Sequence, residues 1–457
     1  MKEAQENSVV LTKGPVLQAL NSIMLPMAVM MVTNIGFSYL DAWYISRLGH
    51  DALSAIDISF PLVNLCSAIL YGGLGTGVSA AVARKHGKDD QSGSLLCLKM
   101  GFLLAIPLAL FFTFSIILGK DFIFSVADTP AIKELAYEYC FWYFLPIIIM
   151  AWGAVTSSAM RGAGYAKKPA VYSLICMGIN AVLTPLFSFD SLNLGFTDIN
   201  IGFNMGMKGA AISTAITYTI FSLFLMKDLV NGSQGFKFFD FTLKIDKSIL
   251  KAIFYASSIA ALLPMMTNIV IYIILKCMSH RSLELMDAFS LAKRFELYAI
   301  QLTVCLGAAT MVVIGASHEN HERVKEILKT SLKILFFAGV PITLVMALKS
   351  DFYYVSLTKK SGILEEGQKY FLYGGLNMLF TCGIILMNFS YQGMGKPAAP
   401  IPFSLTSVIG IQGLCGVYLM VSESTTVIYY GLISVGTTIT FFLILRRFYK
   451  FIDEGRF

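Results

Sequence analysis

The chain of 457 residues is 56% hydrophobic and only 14% charged, against about 25% charged in an ordinary soluble domain. That composition excludes a water-soluble globular protein and points to an integral membrane one. The formal net charge of +7 does not make the chain a nucleic-acid binder, because the basic residues are spread over the connections between apolar runs.

The first residues, MKEAQENSVVLTKGPV, are polar and mixed in charge, with no apolar core ahead of a small-residue cleavage site. No cleaved signal peptide is expected, and the first apolar run is itself the membrane signal. A hydrocarbon core of about 30 Å takes about 20 apolar residues in a helix. Such runs recur at 17–45, 56–83, 95–118, 135–157, 169–189, 207–226, 250–275, 284–315, 327–348, 366–391, 398–421 and 425–446. The expected fold is therefore an all-α integral membrane protein of twelve transmembrane helices. Basic residues gather in alternate connections: Lys13, the RKHGK at 84–88, Arg161 with Lys167 and Lys168, the lysines between 227 and 251, Arg323 with Lys325, Lys396, and Arg446 with Arg447. The positive-inside rule then puts those connections and both termini in the cytoplasm. The 8 cysteines, Cys66 to Cys415, are scattered singly without a CxxC pair and read as small core hydrophobes.

Two stretches look alike. MRGAGYAKKPAVYSLI from 160 and YQGMGKPAAPIPFSLT from 391 each set a Gly-x-Gly turn after one run and a proline, Pro169 or Pro400, near the start of the next, at an offset of 231. GLGTGVSAAVARKHG and LGAATMVVIGASHEN align Leu74 and Gly75 with Leu306 and Gly307 at an offset of 232. Duplication follows. Six runs separate the copies, so both halves cross in the same sense and are expected to form two six-helix lobes related by a pseudo-two-fold axis along the membrane normal. The expected division is 1–226 for the first lobe, 227–249 for a cytoplasmic connection and 250–457 for the second lobe. This is a transporter architecture, with substrate bound between the lobes or within one of them near the midplane.

A charge inside the membrane is costly and marks a functional position. Asp41 lies in the first run with no basic residue to neutralise it, and Asn34, Ser38 and Asp41 at i, i+4 and i+7 form one stripe. Ser173, Met177, Asn180 and Thr184 follow a similar spacing, as do Thr214 and Thr217. A carboxylate among neutral donors in a low dielectric is suited to carry a proton, or to hold a sodium ion with neighbouring oxygens. At the offset of the repeat, Tyr272 stands where Asp41 would be, so the halves have specialised. The deepest charges of the second half lie in AKRFEL, where Lys293 and Glu296 at i and i+3 can pair while Arg294 points to another face. The HENH at 318–321 lacks the HExxH spacing of a metal site. Gly162 and Gly164 follow no strand, which argues against dinucleotide binding.

LDAWYISRLGHDALSAIDISFP, GLGTGVSAAVARKHGKDD, MRGAGYAKKPAVYSLICMGINAVLTPLF and GMKGAAISTAI, in that order, resemble the multidrug and toxic compound extrusion (MATE) family. The resemblance implies a twelve-helix, two-lobe antiporter, not an enzyme, that expels small amphipathic, often cationic compounds from the cell in exchange for protons or sodium ions. It implies a multi-pass protein of the cell membrane surrounded by lipid, working as a monomer and needing no cofactor beyond the coupling ion. Asp41 stands at the place of the family's coupling aspartate, and Asn180 and Thr214 match an asparagine and a threonine of the same cation site. Thr184 departs from the pattern, since prokaryotic members often carry a second aspartate there. Losing that charge weakens a sodium site more than a proton carrier, so protons are favoured, with sodium at Asp41, Asn180 and Thr214 as the alternative. Arg294 and Glu296 match an Arg-x-Glu of the branch resembling DNA-damage-inducible (DinF-like) members. The rival from the residues is a flippase for lipid-linked saccharides, in which Lys293 and Arg294 would meet an anionic headgroup.

Overall fold

The computed structural model describes residues 11–125, 129–190, 192–193, 198–199, 202–231, 245–357, 361–414, 416–418 and 426–454. Cys415 lies outside them, as does most of the basic connection between 227 and 251. The long helices are α1 (Val16–Ser46), α2 (Asp51–His86), α3 (Gln91–Leu118), α4 (Pro130–Phe144), α5 (Ile147–Gly162), α6 (Lys167–Ser188) and α7 (Gly206–Val230). They continue with α8 (Lys247–Arg281), α9 (Leu283–Ala316), α10 (His321–Lys349), α11 (Ser361–Gly393), α12 (Ile401–Tyr418) and α13 (Thr426–Asp453). Among the described residues 11 helices are long and apolar enough to cross a membrane, and α4 with α5 makes a twelfth, bent span. The surfaces of the helices agree with a lipid environment: Phe111, Phe114, Leu118 and Phe337 are exposed, which water would penalise and lipid does not. Among the described residues only a two-residue antiparallel pairing, Leu192–Asn193 with Asp198–Ile199, interrupts the helical fold.

The span expected at 135–157 is broken. Its two parts meet at 56° across Leu145 and Pro146, because a proline has no N–H for the helical ladder and its ring crowds the carbonyl four residues back. Helix starts are set by side chains. Asp90 accepts from the Gly93 N–H at 2.8 Å ahead of α3, Thr129 from Ile132 ahead of α4, and Asn320 from Arg323 at 3.1 Å ahead of α10. Each satisfies a donor that the first helical turn leaves unpaired. Two spans contain wider π-helical turns, Ala68–Gly75 in α2 and Thr406–Leu414 in α12.

The chain forms two compact units, the described part of one being residues 25–258 and of the other 11–24 with 259–454. α1 and α8 therefore each begin in one unit and continue in the other. In the second unit the Arg323 guanidinium donates to the Leu11 and Gly14 carbonyls at 3.0 and 2.9 Å and to Ser317 Oγ at 3.2 Å, tying the start of the chain to α10.

The duplication has a structural counterpart in each unit. Gly164 and Gly395 both take positive φ, 86° and 77°, a conformation that glycine alone adopts without penalty. In both turns the next N–H bonds back over the helix end, Tyr165 to the Met160 carbonyl at 2.8 Å and Lys396 to the Tyr391 carbonyl at 2.9 Å. Two residues earlier Gly162 and Gly393 let backbones touch: a Cβ on them would lie 2.4 Å from the Ser79 carbonyl oxygen and 2.6 Å from that of Met311. The cores differ. The first unit buries mainly small and aliphatic side chains such as Val78, Cys97, Ala154 and Val155. The second buries an aromatic cluster of Phe289, Tyr354, Tyr370, Phe371, Tyr429 and Tyr430.

Candidate ion-coupling site

In the first unit α1, α6 and α7 meet around Asp41. Thr33, Phe37 and Ile45 are buried, and Asp41 completes their stripe at four-residue spacing, so the packed face of α1 carries the carboxylate inward. α1 lies tight on α6. A Cβ on Gly36 would come within 2.7 Å of the Met177 sulfur, and Tyr44 Oη donates to the Ala181 carbonyl at 3.0 Å. α6 buries Cys176, Asn180, Thr184 and Ser188 one turn apart. From α7 comes Thr214.

Thr214 Oγ1 receives a hydrogen bond from Asn180 Nδ2 at 3.3 Å. Its single hydrogen has two acceptors, the Ala210 carbonyl at 3.0 Å and Asp41 Oδ2 at 3.2 Å. Asp41 Oδ1 and Asn180 Oδ1 are both enclosed and have no donor. No basic side chain pairs with Asp41 among the described residues. The site is thus rich in acceptors and short of hydrogens. Thr184 is close but differently engaged, its hydroxyl bonded to Ser213 Oγ at 2.8 Å. Asn34 and Ser38, from the stripe expected with Asp41, are exposed, and Ser38 Oγ donates to the Asn34 carbonyl at 3.2 Å. Tyr139 and Tyr218 stand within electrostatic reach of Asp41. Tyr218 stacks on Phe37 at 5.5 Å and meets Tyr143 edge-on at 6.4 Å.

The second unit holds a different carboxylate cluster. Glu296, 3% exposed, receives Lys293 Nζ on Oε2 at 2.7 Å. On Oε1 it receives the Tyr370 hydroxyl and, at 3.3 Å, Asn377 Nδ2. Asn377 Oδ1 in turn accepts from Thr437 Oγ1 at 2.8 Å. The Lys293 ammonium also lies over the rings of Phe289 and Tyr370, at 5.3 and 5.6 Å. Arg294 is exposed and takes no part. Elsewhere, His318 Nδ1 lies 2.8 Å from the Gly315 carbonyl, and among the described residues no group of three or more His, Cys, Asp or Glu side chains could hold a metal ion.

The structure therefore joins Asp41, Asn180 and Thr214, places Thr184 beside them on Ser213, and leaves Asn34 and Ser38 outside. Ser213, Tyr139 and Tyr218 escape the sequence reading because their part depends on which face α4 and α7 turn inward. Tyr370, Asn377 and Thr437 escape it because their link to Glu296 crosses from α9 to α11 and α13. Asn377, one of two asparagines in the apolar run at 366–391, was the available signal.

The family model described as MatE matches residues 26–186 and 251–416. A FAD transporter of Shewanella oneidensis is 24% identical over 332 residues, 71% of this chain and 71% of that protein. The multidrug export protein MepA of Staphylococcus aureus is 21% identical over 435 residues, 90% of this chain and 92% of its own. An outward-facing structure of a multidrug resistance MATE family transporter of the MOP superfamily superposes with a TM-score of 0.83 at 21% identity, over 98% of both chains.

Proposed function

The chain belongs to the MatE family, and from that premise we propose a proton-coupled antiporter that carries small amphipathic, cationic compounds out of the cell, with Asp41 as the coupling carboxylate. Membership makes it a multi-pass membrane transporter and not an enzyme. The observation that carries the proton reading is the hydrogen count around Asp41. When the carboxyl holds a proton, its O–H donates to Thr214 Oγ1, which has a lone pair left beside the one taken by Asn180 Nδ2. The Thr214 hydrogen is then free for the Ala210 carbonyl. One added proton gives the Asp41–Thr214 contact a hydrogen of its own, where the charged carboxylate shares one with the Ala210 carbonyl.

Sodium is the alternative ion. Asp41 Oδ1, Asn180 Oδ1 and Thr214 Oγ1 are oxygens that suit it, but Thr184 offers no second charge and its hydroxyl is spent on Ser213. Protons fit the donor set better. In this reading the outward-open state takes a proton onto Asp41, the Thr214 and Asn180 bonds rearrange, and substrate affinity falls. Proton loss on the inward side restores it. Each ligand moves the protein only as far as its affinities for the two states differ. The MepA relative supports drug efflux, and the FAD transporter relative makes a flavin nucleotide a second substrate to test. The flippase reading is weakened, because Lys293 is neutralised by Glu296. The basic connections support cytoplasmic termini in the cell membrane.

The test is ethidium efflux from liposomes under a proton or a sodium gradient, comparing wild type with Asp41→Asn and repeating the assay with FAD. Proton-driven efflux that disappears in Asp41→Asn is the expected result. Efflux driven by sodium alone replaces the ion in this reading, and efflux unchanged in the variant removes Asp41 from coupling.

A further inference from the structure

Four tyrosines of the first unit descend in order from Asp41. Counted along their own helices from the ends remote from the basic connections, at about 1.5 Å per residue, Asp41 lies about 8 Å in, Tyr139 about 14 Å, Tyr218 about 18 Å, Tyr143 about 20 Å and Tyr71 about 30 Å. Neighbours in that order are close. Tyr139 and Tyr218 stand within electrostatic reach of Asp41, the Tyr143 ring lies 6.3 Å from that of Tyr139 and 6.4 Å from that of Tyr218, and Tyr71 is within reach of both Tyr143 and Tyr218. Within the described residues the four hydroxyls make no hydrogen bond, yet none is fully enclosed, although Tyr139 and Tyr143 are only 4% and 5% exposed. Their oxygens are left for water rather than for packed side chains. A phenol gives one hydrogen and accepts on the same oxygen, so a row of them can pass a proton on.

At the foot of the row stands a fixed charge. Tyr71 belongs to the π-helical stretch Ala68–Gly75, and Gly75 at its end lies against α5, where a Cβ would come within 2.5 Å of Ser158 Oγ. Ser158 and Ser157 hold the Arg161 guanidinium at 2.8 and 2.9 Å, within electrostatic reach of the Tyr71 phenol. Neutral hydroxyls fix the guanidinium without cancelling its charge.

We propose that Tyr139, Tyr218, Tyr143 and Tyr71, with water between their hydroxyls, are the route by which the Asp41 proton leaves toward the cytoplasmic end of the first unit, and that Arg161 is its electrostatic gate. Each hydroxyl passes its hydrogen ahead and takes one from behind, so no phenolate forms. Asp41 is left as the carboxylate and one proton reaches solvent. The guanidinium opposes an excess proton at the foot of the row, as a fixed positive charge does in a pore that must not leak protons. An antiporter needs such a gate, since a route that stayed open from Asp41 would dissipate the gradient without moving substrate. The proposal rests on the proton reading of Asp41.

The experiment uses the full chain in liposomes with pyranine inside, a pH step outside, and potassium with valinomycin to clamp the voltage, in the absence of substrate and sodium. Wild type and Arg161→Lys, which keeps the charge, pass few protons. Arg161→Gln raises the flux by about 10-fold or more, the effect of a unit charge a few ångström from the route, and adding Tyr71→Phe returns it to the wild-type level. Where Arg161→Gln does not fold, Ser157→Ala with Ser158→Ala, which frees the guanidinium from its anchors, takes its place and raises the flux in the same Tyr71-dependent way. A flux no higher than wild type in the neutralised or freed protein overturns the proposal. So does a raised flux that Tyr71→Phe leaves untouched, or equal fluxes in Arg161→Lys and Arg161→Gln. A failed route leaves Asp41 as the coupling candidate, whereas a failed coupling reading shows in the efflux test and not in this one.

Discussion

Each unit buries a carboxylate within a membrane span, and the two are provisioned in opposite ways. Asp41 has one shared hydroxyl on one oxygen and no donor on the other. Glu296 has an ammonium on one oxygen and a phenol and an amide on the other. The first arrangement improves when a proton arrives. The second is complete only while it stays charged and paired. Burial alone does not predict whether an acid works in coupling, because the decisive quantity is the number of donors the fold supplies. Duplication thus produced two similar helical scaffolds and two different electrostatic devices.

The largest way to break this contrast is to strip the second unit of its cation. Lys293→Ala leaves Glu296 buried without its counter-charge, which costs about 3–5 kcal/mol, measured by denaturant or thermal unfolding. Replacing both partners, Lys293→Met with Glu296→Leu, recovers most of that loss, since a buried pair is often no more stable than an apolar substitute. Next is the first unit, where Asp41→Asn keeps the shape and removes the titrating group. Efflux under a proton gradient disappears, because the coupling ion has nothing left to bind, while the unfolding midpoint changes little.

The shared scaffold gives a control on the comparison. Gly162→Ala and Gly393→Ala each drive a methyl into a facing carbonyl oxygen and cost about 1–3 kcal/mol. The two should lose similar stability, because the same contact recurs in both units. Gly178→Ala, where a Cβ meets nothing, is neutral or gains about 0.5–1 kcal/mol from its helical position. Unequal losses at 162 and 393 would weaken the equivalence of the two turns.

The smallest effect concerns the caps of α3 and α10. Asp90 is held below the usual carboxylate range mainly by the Gly93 N–H, with Ser92 and Lys85 adding to it. Its native value lies under the unfolded one, so its stabilisation is full above about pH 4 and fades as the pH falls through the native value. Asn320 does the same task with an amide and no such dependence. Asp90→Ala costs about 1 kcal/mol at neutral pH. Asp90→Asn costs little there, and removes this cap's share of the acid sensitivity, readable as a flatter curve of unfolding midpoint between about pH 5 and 2.

The spans were legible in the sequence because membrane insertion is dominated by local hydropathy, which no tertiary contact overrides. The repeat was legible because Gly164 and Gly395 serve a backbone geometry that few residues tolerate. Asp41 with Asn180 and Thr214 could be singled out as polar groups in apolar helices. Their pairing was suggested by resemblance, and the missing donors became visible only in three dimensions. The burial of Phe37 in place of Ser38 depends on which way α1 faces, and helical spacing permits both choices. The break between α4 and α5 was missed by the single run at 135–157, although Pro146 was there to signal it, and the 56° bend belongs to packing.

The bonds from Arg323 to the Leu11 and Gly14 carbonyls join positions far apart in the order of synthesis, 309 residues in the case of Gly14. At about 5–20 residues per second, the ribosome reaches Arg323 roughly 15–60 s after it has made Gly14. For that interval the segment of Leu11 and Gly14 exists while its partner does not. Until then those two carbonyls lack this donor, and the second unit is completed only when Arg323 arrives.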